Sequence, residues 1–160
     1  MANSTFNGPI RSENGFKNIV KSSTTGAVTS TMTLETYTAT ITVANGDTTG
    51  KETSVGIPAN FIPMGVTVAV TTASTNAVNL NDIGTDADTD GYVDGISAAL
   101  NTTGFKGFFG CNGVLGMSGF TTGASGLVGD EVELVVSGDP GSDTVIVLKF
   151  FGISSSSDAS

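Results

Sequence analysis

The residues best spaced for chemistry are Asp86, Asp88, Asp90 and Asp94, set in Asp86-Ala87-Asp88-Thr89-Asp90-Gly91-Tyr92-Val93-Asp94. Carboxylates at the first, third, fifth and ninth places, with glycine at the sixth, match the opening of a calcium loop. The glycine permits a sharp turn, and alternate carboxylates then converge on one hard cation. The twelfth place is Ser97 rather than the bidentate glutamate of an EF-hand, and no helical pattern flanks the run. The expectation is a simpler Ca²⁺ or Na⁺ loop, set against a solvated acidic turn between strands. Nothing else reaches that specificity. The chain has no histidine, no tryptophan and one cysteine. A serine or threonine nucleophile needs a base, and the usual base is missing. A carboxylate pair for glycoside hydrolysis would lack tryptophan platforms, and only two tyrosines exist. The glycines are scattered, without a phosphate-cradling pattern after a strand. The expectation is a protein that is not an enzyme and carries no resident cofactor.

The elements that must hold these residues are strands. Tyr37, Ala39, Ile41 and Val43 alternate with threonines, and Val66, Val68 and Val70 with Thr67, Ala69 and Thr71. Val132, Leu134 and Val136 alternate with Glu131, Glu133 and Val135. A period of two with β-branched residues means a half-buried strand. Thr144–Phe151 is nearly continuous apolar, which fits a central strand with one face in the core and the other in the core or an interface. Ser137-Gly138-Asp139-Pro140-Gly141-Ser142 has proline then glycine at the centre of a turn, so the strands on either side are expected to form an antiparallel hairpin. Shorter strands are expected at Val28–Leu34, Ser54–Ile57, Ala77–Leu80 and Val114–Met117, and one helical turn at Gly95–Leu100. Gly104–Gly129 is dense in glycine with Phe105, Phe108, Phe109 and Phe120. It reads as a long loop, either with core aromatics or with intersubunit contacts. Six to nine short strands with glycine-rich turns specify an all-β protein, an antiparallel β-sandwich or jelly roll. Residues 1–21 read as an extended N-terminal arm, 22–153 as the β-sandwich domain, and 154–160 as a disordered serine-rich tail.

Charge narrows the partners. Charged residues are 13% of the chain, against about 25% in an ordinary soluble domain. In residues 1–21, Arg11, Lys17 and Lys21 face only Glu13, a net +2; the remainder sets three lysines against 14 carboxylates, a net −11. An acidic body repels phosphate backbones and anionic lipid, so neither nucleic acid nor membrane is an expected partner. The basic arm suits an acidic partner surface. A lone cysteine forms no intrachain disulfide, and the first ten residues lack the apolar core of an export signal.

Short motifs across most of the chain carry a family resemblance. They are Ser4-Thr5-Phe6-Asn7-Gly8-Pro9-Ile10-Arg11-Ser12, Val55-Gly56-Ile57-Pro58-Ala59, Leu80-Asn81-Asp82-Ile83-Gly84-Thr85, Asp90-Gly91-Tyr92-Val93 and the closing apolar strand. Together they resemble the small head proteins of tailed bacteriophages that decorate, or cement, the capsid. The resemblance implies a β-rich homotrimer on the capsid exterior, assembled in the host cytoplasm and clamping neighbouring major capsid protein subunits. It places Phe6, Pro9, Ile10 and Arg11, with Phe16 and Lys17, in an arm at the capsid or subunit interface. Two other readings are kept. One is a glycan- or host-surface-binding domain of an appendage, for which Tyr92 beside the acidic run is the hint. The other is a filament or tube subunit whose arm donates a strand to the next copy.

Overall fold

In a computed structural model, the described residues are 17–21, 23–26, 28–56, 61–113 and 131–156. They form nine strands: β1 (Lys17–Lys21), β2 (Val28–Val43), β3 (Thr49–Gly56), β4 (Phe61–Thr72), β5 (Asn79–Thr85), β6 (Ala98–Ala99), β7 (Gly104–Gly110), β8 (Glu131–Val136) and β9 (Thr144–Ser156). Every pairing is antiparallel. The fold is therefore all-β, as the alternation requires.

The pairings nest. β5 pairs with β6, β4 with β7, β3 with β8, and β2 with β9. The chain thus behaves as one long double-stranded ribbon. Rolling that ribbon sets β9 beside β4 and β8 beside β5. The result is a five-stranded sheet, β1-β2-β9-β4-β7, facing a four-stranded sheet, β3-β8-β5-β6. This nested order is that of a jelly roll, with β1 added outside β2.

The core lies between the two sheets. Ala39, Ile41 and Val43, then Val66, Val68 and Val70, then Ile146, Leu148 and Phe150 line the inner face of the large sheet. Leu80, Ile83, Val132, Leu134 and Val136 face them from the small sheet. Tyr92 is fully buried among them, its ring edge-on to Phe150 at 5.4 Å. Each such side chain contributes about 1.5–3 kcal/mol when removed from water. The strict two-residue period therefore fixes which face of each strand turns inward.

Three local expectations change. The strands around Pro140 do not form a hairpin, because β8 belongs to the small sheet and β9 to the large one. The turn itself has the expected chemistry. Gly141 takes φ +72°, and the Asp139 carboxylate accepts from the N–H groups of Gly141 (2.7 Å) and Gly46 (2.9 Å). Thr75 and Asn76 N–H groups bond the Pro140 carbonyl, each at 3.0 Å. These ties carry the turn across the end of the sandwich, and β9 finds longer partners in β2 and β4 than β8 could give. Second, Gly95–Leu100 holds the short strand β6 rather than a helical turn. Third, Gly104–Gly110 is not loop but strand β7. The Val28–Leu34 and Tyr37–Val43 segments are one continuous strand, whereas Val114–Met117 lies outside the described residues. Lys17–Lys21, the end of the arm, pairs with β2, and β9 runs on to Ser156.

Candidate interaction surface

The two sheets differ in what covers their outer faces. On the small sheet, Lys51 of β3, Glu133 of β8 and Gly84 of β5 stand in one row. After β5 the chain turns sharply. Thr85 N–H bonds the Asp88 carbonyl at 2.8 Å, Asp88 N–H returns to Thr85 at 3.1 Å, and Gly91 N–H bonds Asp88 at 3.0 Å. The turn folds back over Gly84 so closely that a Cβ there would collide with the Asp88 and Thr89 backbone. Lys51 Nζ reaches Asp86 at 3.2 Å and Glu131 at 2.8 Å. Its bonds to Glu131 and Asp86 hold the ammonium above its usual pKa. Glu133 is 8% exposed, and burial, then its bond to Asp86, pushes its carboxyl above the ordinary glutamate range.

This geometry distributes the predicted cation ligands. Asp86 is turned to Lys51. Asp88 lies against Asp90, whose hydrogen bond raises the Asp88 carboxyl above its usual pKa. Asp94 sits beyond the Ile83–Val93 bridge, its N–H accepted by Asn112 Oδ1 at 3.0 Å and its carbonyl bonded by Asn112 Nδ2 at 3.1 Å. Among the described residues, no three acidic or thiol side chains are placed to hold a metal ion.

The outer face of the large sheet is different. The register carries two apolar rows across it, Leu34 with Ile153 and Ile62, and Val147 with Ala69 and Phe105. Between them Phe108, paired with Thr67, leans diagonally over Gly65 toward Phe151. Phe108 meets Phe151 edge-on at 6.1 Å, and its ring occupies the space a Cβ on Gly65 would need. Leu34, Phe105 and Phe108 are 73%, 69% and 59% exposed. Lys149 sits among these rows, flanked by Thr36, Thr38, Thr40 and Thr42 on β2. No carboxylate falls at an outward position from Thr36 to Thr42, Thr67 to Thr71 or Val145 to Ile153. In a chain with 15 carboxylates, a face with none is a compositional signal of contact, because interface centres are depleted in charge and enriched in aromatics.

Beside this face lies a cleft of about 310 Å³. Val93, Asp94, Gly95 and Ile96 form one wall, and Phe108, Phe109, Gly110 and Asn112 the other. It follows β7, the end strand of the large sheet.

Of the other predicted site residues, Lys17 opens β1, opposite Thr33. Phe6, Pro9, Ile10, Arg11 and Phe16 lie outside the described residues. Tyr92 is 0% exposed and provides no surface platform for a sugar. Cys111 is a poor nucleophile, since burial pushes its thiol up to about 12 and leaves almost no thiolate at neutral pH. Sequence reading left Phe105 and Phe108 between a core and a surface placement, and the structure turns both outward. The available signal was Phe108-Phe109, adjacent aromatics that must point to opposite faces of any strand.

No family model matches the chain, and no curated protein matches it. One solved structure, the cyanophage Pam1 capsid asymmetric unit, is similar to it with a TM-score of 0.48 and 16% identity, over 94% of this chain and 96% of that one. A likeness of this degree carries no functional argument.

Proposed function

We propose that the chain is a non-enzymatic virion structural protein, a decoration or cement protein that binds the major capsid protein lattice from outside as a homotrimer. The observation that carries this reading is the carboxylate-free outer face of the five-stranded sheet, with Leu34, Phe105 and Phe108 exposed on it. An acidic protein with one such face is built to be covered on one side and solvated on the other. The short motifs that resemble those of phage decoration proteins support the same reading. In it, Leu34, Phe105, Phe108 and Phe151 bear on the lattice. Phe6, Pro9, Ile10, Arg11, Phe16 and Lys17 serve the capsid or subunit contact. A trimer repeats each contact, so avidity of about 10²–10⁴ supplements a modest single-site affinity.

The test is co-sedimentation with expanded heads stripped of their decoration protein. Phe108→Asp removes a central aromatic and places a carboxylate on the face. We expect binding to fall at least about a hundredfold, the loss expected for a hot-spot residue, with the melting temperature nearly unchanged. Undiminished binding by a folded Phe108→Asp protein would refute the assignment of this face. The glycan-binding reading loses its hint, because Tyr92 is buried.

A further inference from the structure

We propose that the outer edge of β7, with the cleft beside it, receives the N-terminal segment of a second copy of this chain as an added strand. No described strand pairs with that edge. An end strand presents unpaired N–H and C=O groups, and proteins normally guard it with charge, proline or a bulge. The guards on β7 gather at one end. Its bulge falls where Val68 and Ala69 face Gly107 and Phe105, and its one lysine, Lys106, is drawn to Thr102 Oγ1 at 2.6 Å. The stretch Phe108–Gly110 carries neither charge nor proline, and there the cleft opens. The reciprocal Asp94–Asn112 bonds join its two walls at one end, and Gly95 N–H on Asp82 Oδ1 at 3.0 Å fixes the far wall. A slot bounded by a strand edge on one side and fixed backbone on the other suits an extended peptide.

The chain supplies a matching donor. Sixteen residues precede β1, among them Phe6, Pro9, Ile10 and Phe16 for apolar contact and Arg11 for a cleft lined by Asp94. They enter the large sheet at β1, the edge opposite β7. Continuing along β2 within the same copy would meet Thr40, whose N–H is already bonded to Glu52 Oε2 at 3.1 Å. Sixteen extended residues span up to about 55 Å, ample to reach a neighbour. Donor and acceptor lie on opposite edges of one sheet, so the contact is head-to-tail. Such a contact closes into a ring or runs on as a filament, and closure at three copies gives the trimer.

This inference rests on the oligomeric half of the proposed function alone, and its experiment contains no capsid. Full-length protein and Ile10→Asp are compared by light scattering during gel filtration and by hydrogen exchange of the Phe105–Gly110 amides. We expect the full-length chain to be an oligomer with slow exchange along β7. Ile10→Asp should be a folded monomer, melting somewhat lower because the stabilising partner is lost, whose β7 amides exchange at least about tenfold faster, the loss of roughly 1.4 kcal/mol of protection. A monomeric full-length chain, or an oligomer indifferent to Ile10→Asp, overturns the inference. Slow β7 exchange in a monomer also overturns it, because the arm would then be folding onto its own copy. Loss of capsid binding by Phe108→Asp with the oligomer intact leaves this inference standing and speaks only to the capsid face.

Discussion

The two outer faces of the sandwich solve opposite problems with the same strand geometry. The small sheet covers its outer row with its own chain. The Thr85–Gly91 turn lies on Gly84, and Lys51 ties Asp86 to Glu131 above the buried Glu133. The large sheet leaves Phe105, Phe108 and Leu34 to solvent. A strand period of two puts something on both faces of every sheet. What differs is whether the chain brings a loop back over it. The first face is covered by its own chain and acidic; the second leaves large apolar side chains exposed among the described residues.

That contrast can be broken most sharply within β9. Leu148 points inward and is 0% exposed, while its neighbour Val147 points outward. Leu148→Ala should destabilise the protein by about 2–5 kcal/mol, read from denaturant midpoints, and Val147→Ala by less than about 1 kcal/mol. Equal losses would mean that the outer face is already packed in the isolated protein. The next largest effect is at the covered face. Gly84→Ala drives a methyl into the Asp88 backbone and should cost about 1–3 kcal/mol by overpacking. A neutral result would show that the acidic turn is free to lift away.

The smallest effect is electrostatic and carries a sign. Glu133 has its pKa raised in the folded protein, so the stability tied to its protonated form is fully present below the unfolded value, near pH 4.3. It is lost as pH rises through the higher folded value. Glu133→Gln should therefore leave the melting temperature unchanged below about pH 4 and raise it modestly toward neutrality. A variant less stable at neutral pH would instead make Glu133 a net stabilising partner of Lys51. Calcium offers a last comparison. With Asp86 on Lys51 and Asp88 on Asp90, millimolar Ca²⁺ is expected to leave the melting curve in place, and a clear upward shift would show that the turn rearranges around the ion.

How far the residues could be read depends on how local the cause is. Alternation along Tyr37–Val43, Val66–Thr71 and Glu131–Val136 was enough for strands and for their inward faces, because each side chain's direction follows from its place in the strand. The Pro140–Gly141 turn was likewise legible, since proline and glycine act on their own dihedrals. Its consequence was not. A turn states that the chain reverses, not which sheet receives the next strand, and here β9 crosses to the large sheet. The acidic run showed its spacing but not its destinations, because Lys51 lies on another strand of the same sheet, far away in sequence.

The amino-acid order by itself settled an all-β chain with an acidic body, a basic start, no imidazole for general-base catalysis, and a closing strand apolar on both sides. Only the tertiary structure decided that one side of that strand is core and the other is open. It also decided that Phe105 and Phe108 join the open side, and that β7 is the last of the described strands on its edge of the sheet. The reason is physical: hydrophobic patterning reports that a residue prefers to leave water, but the partner that takes it out of water is chosen by long-range pairing of strands.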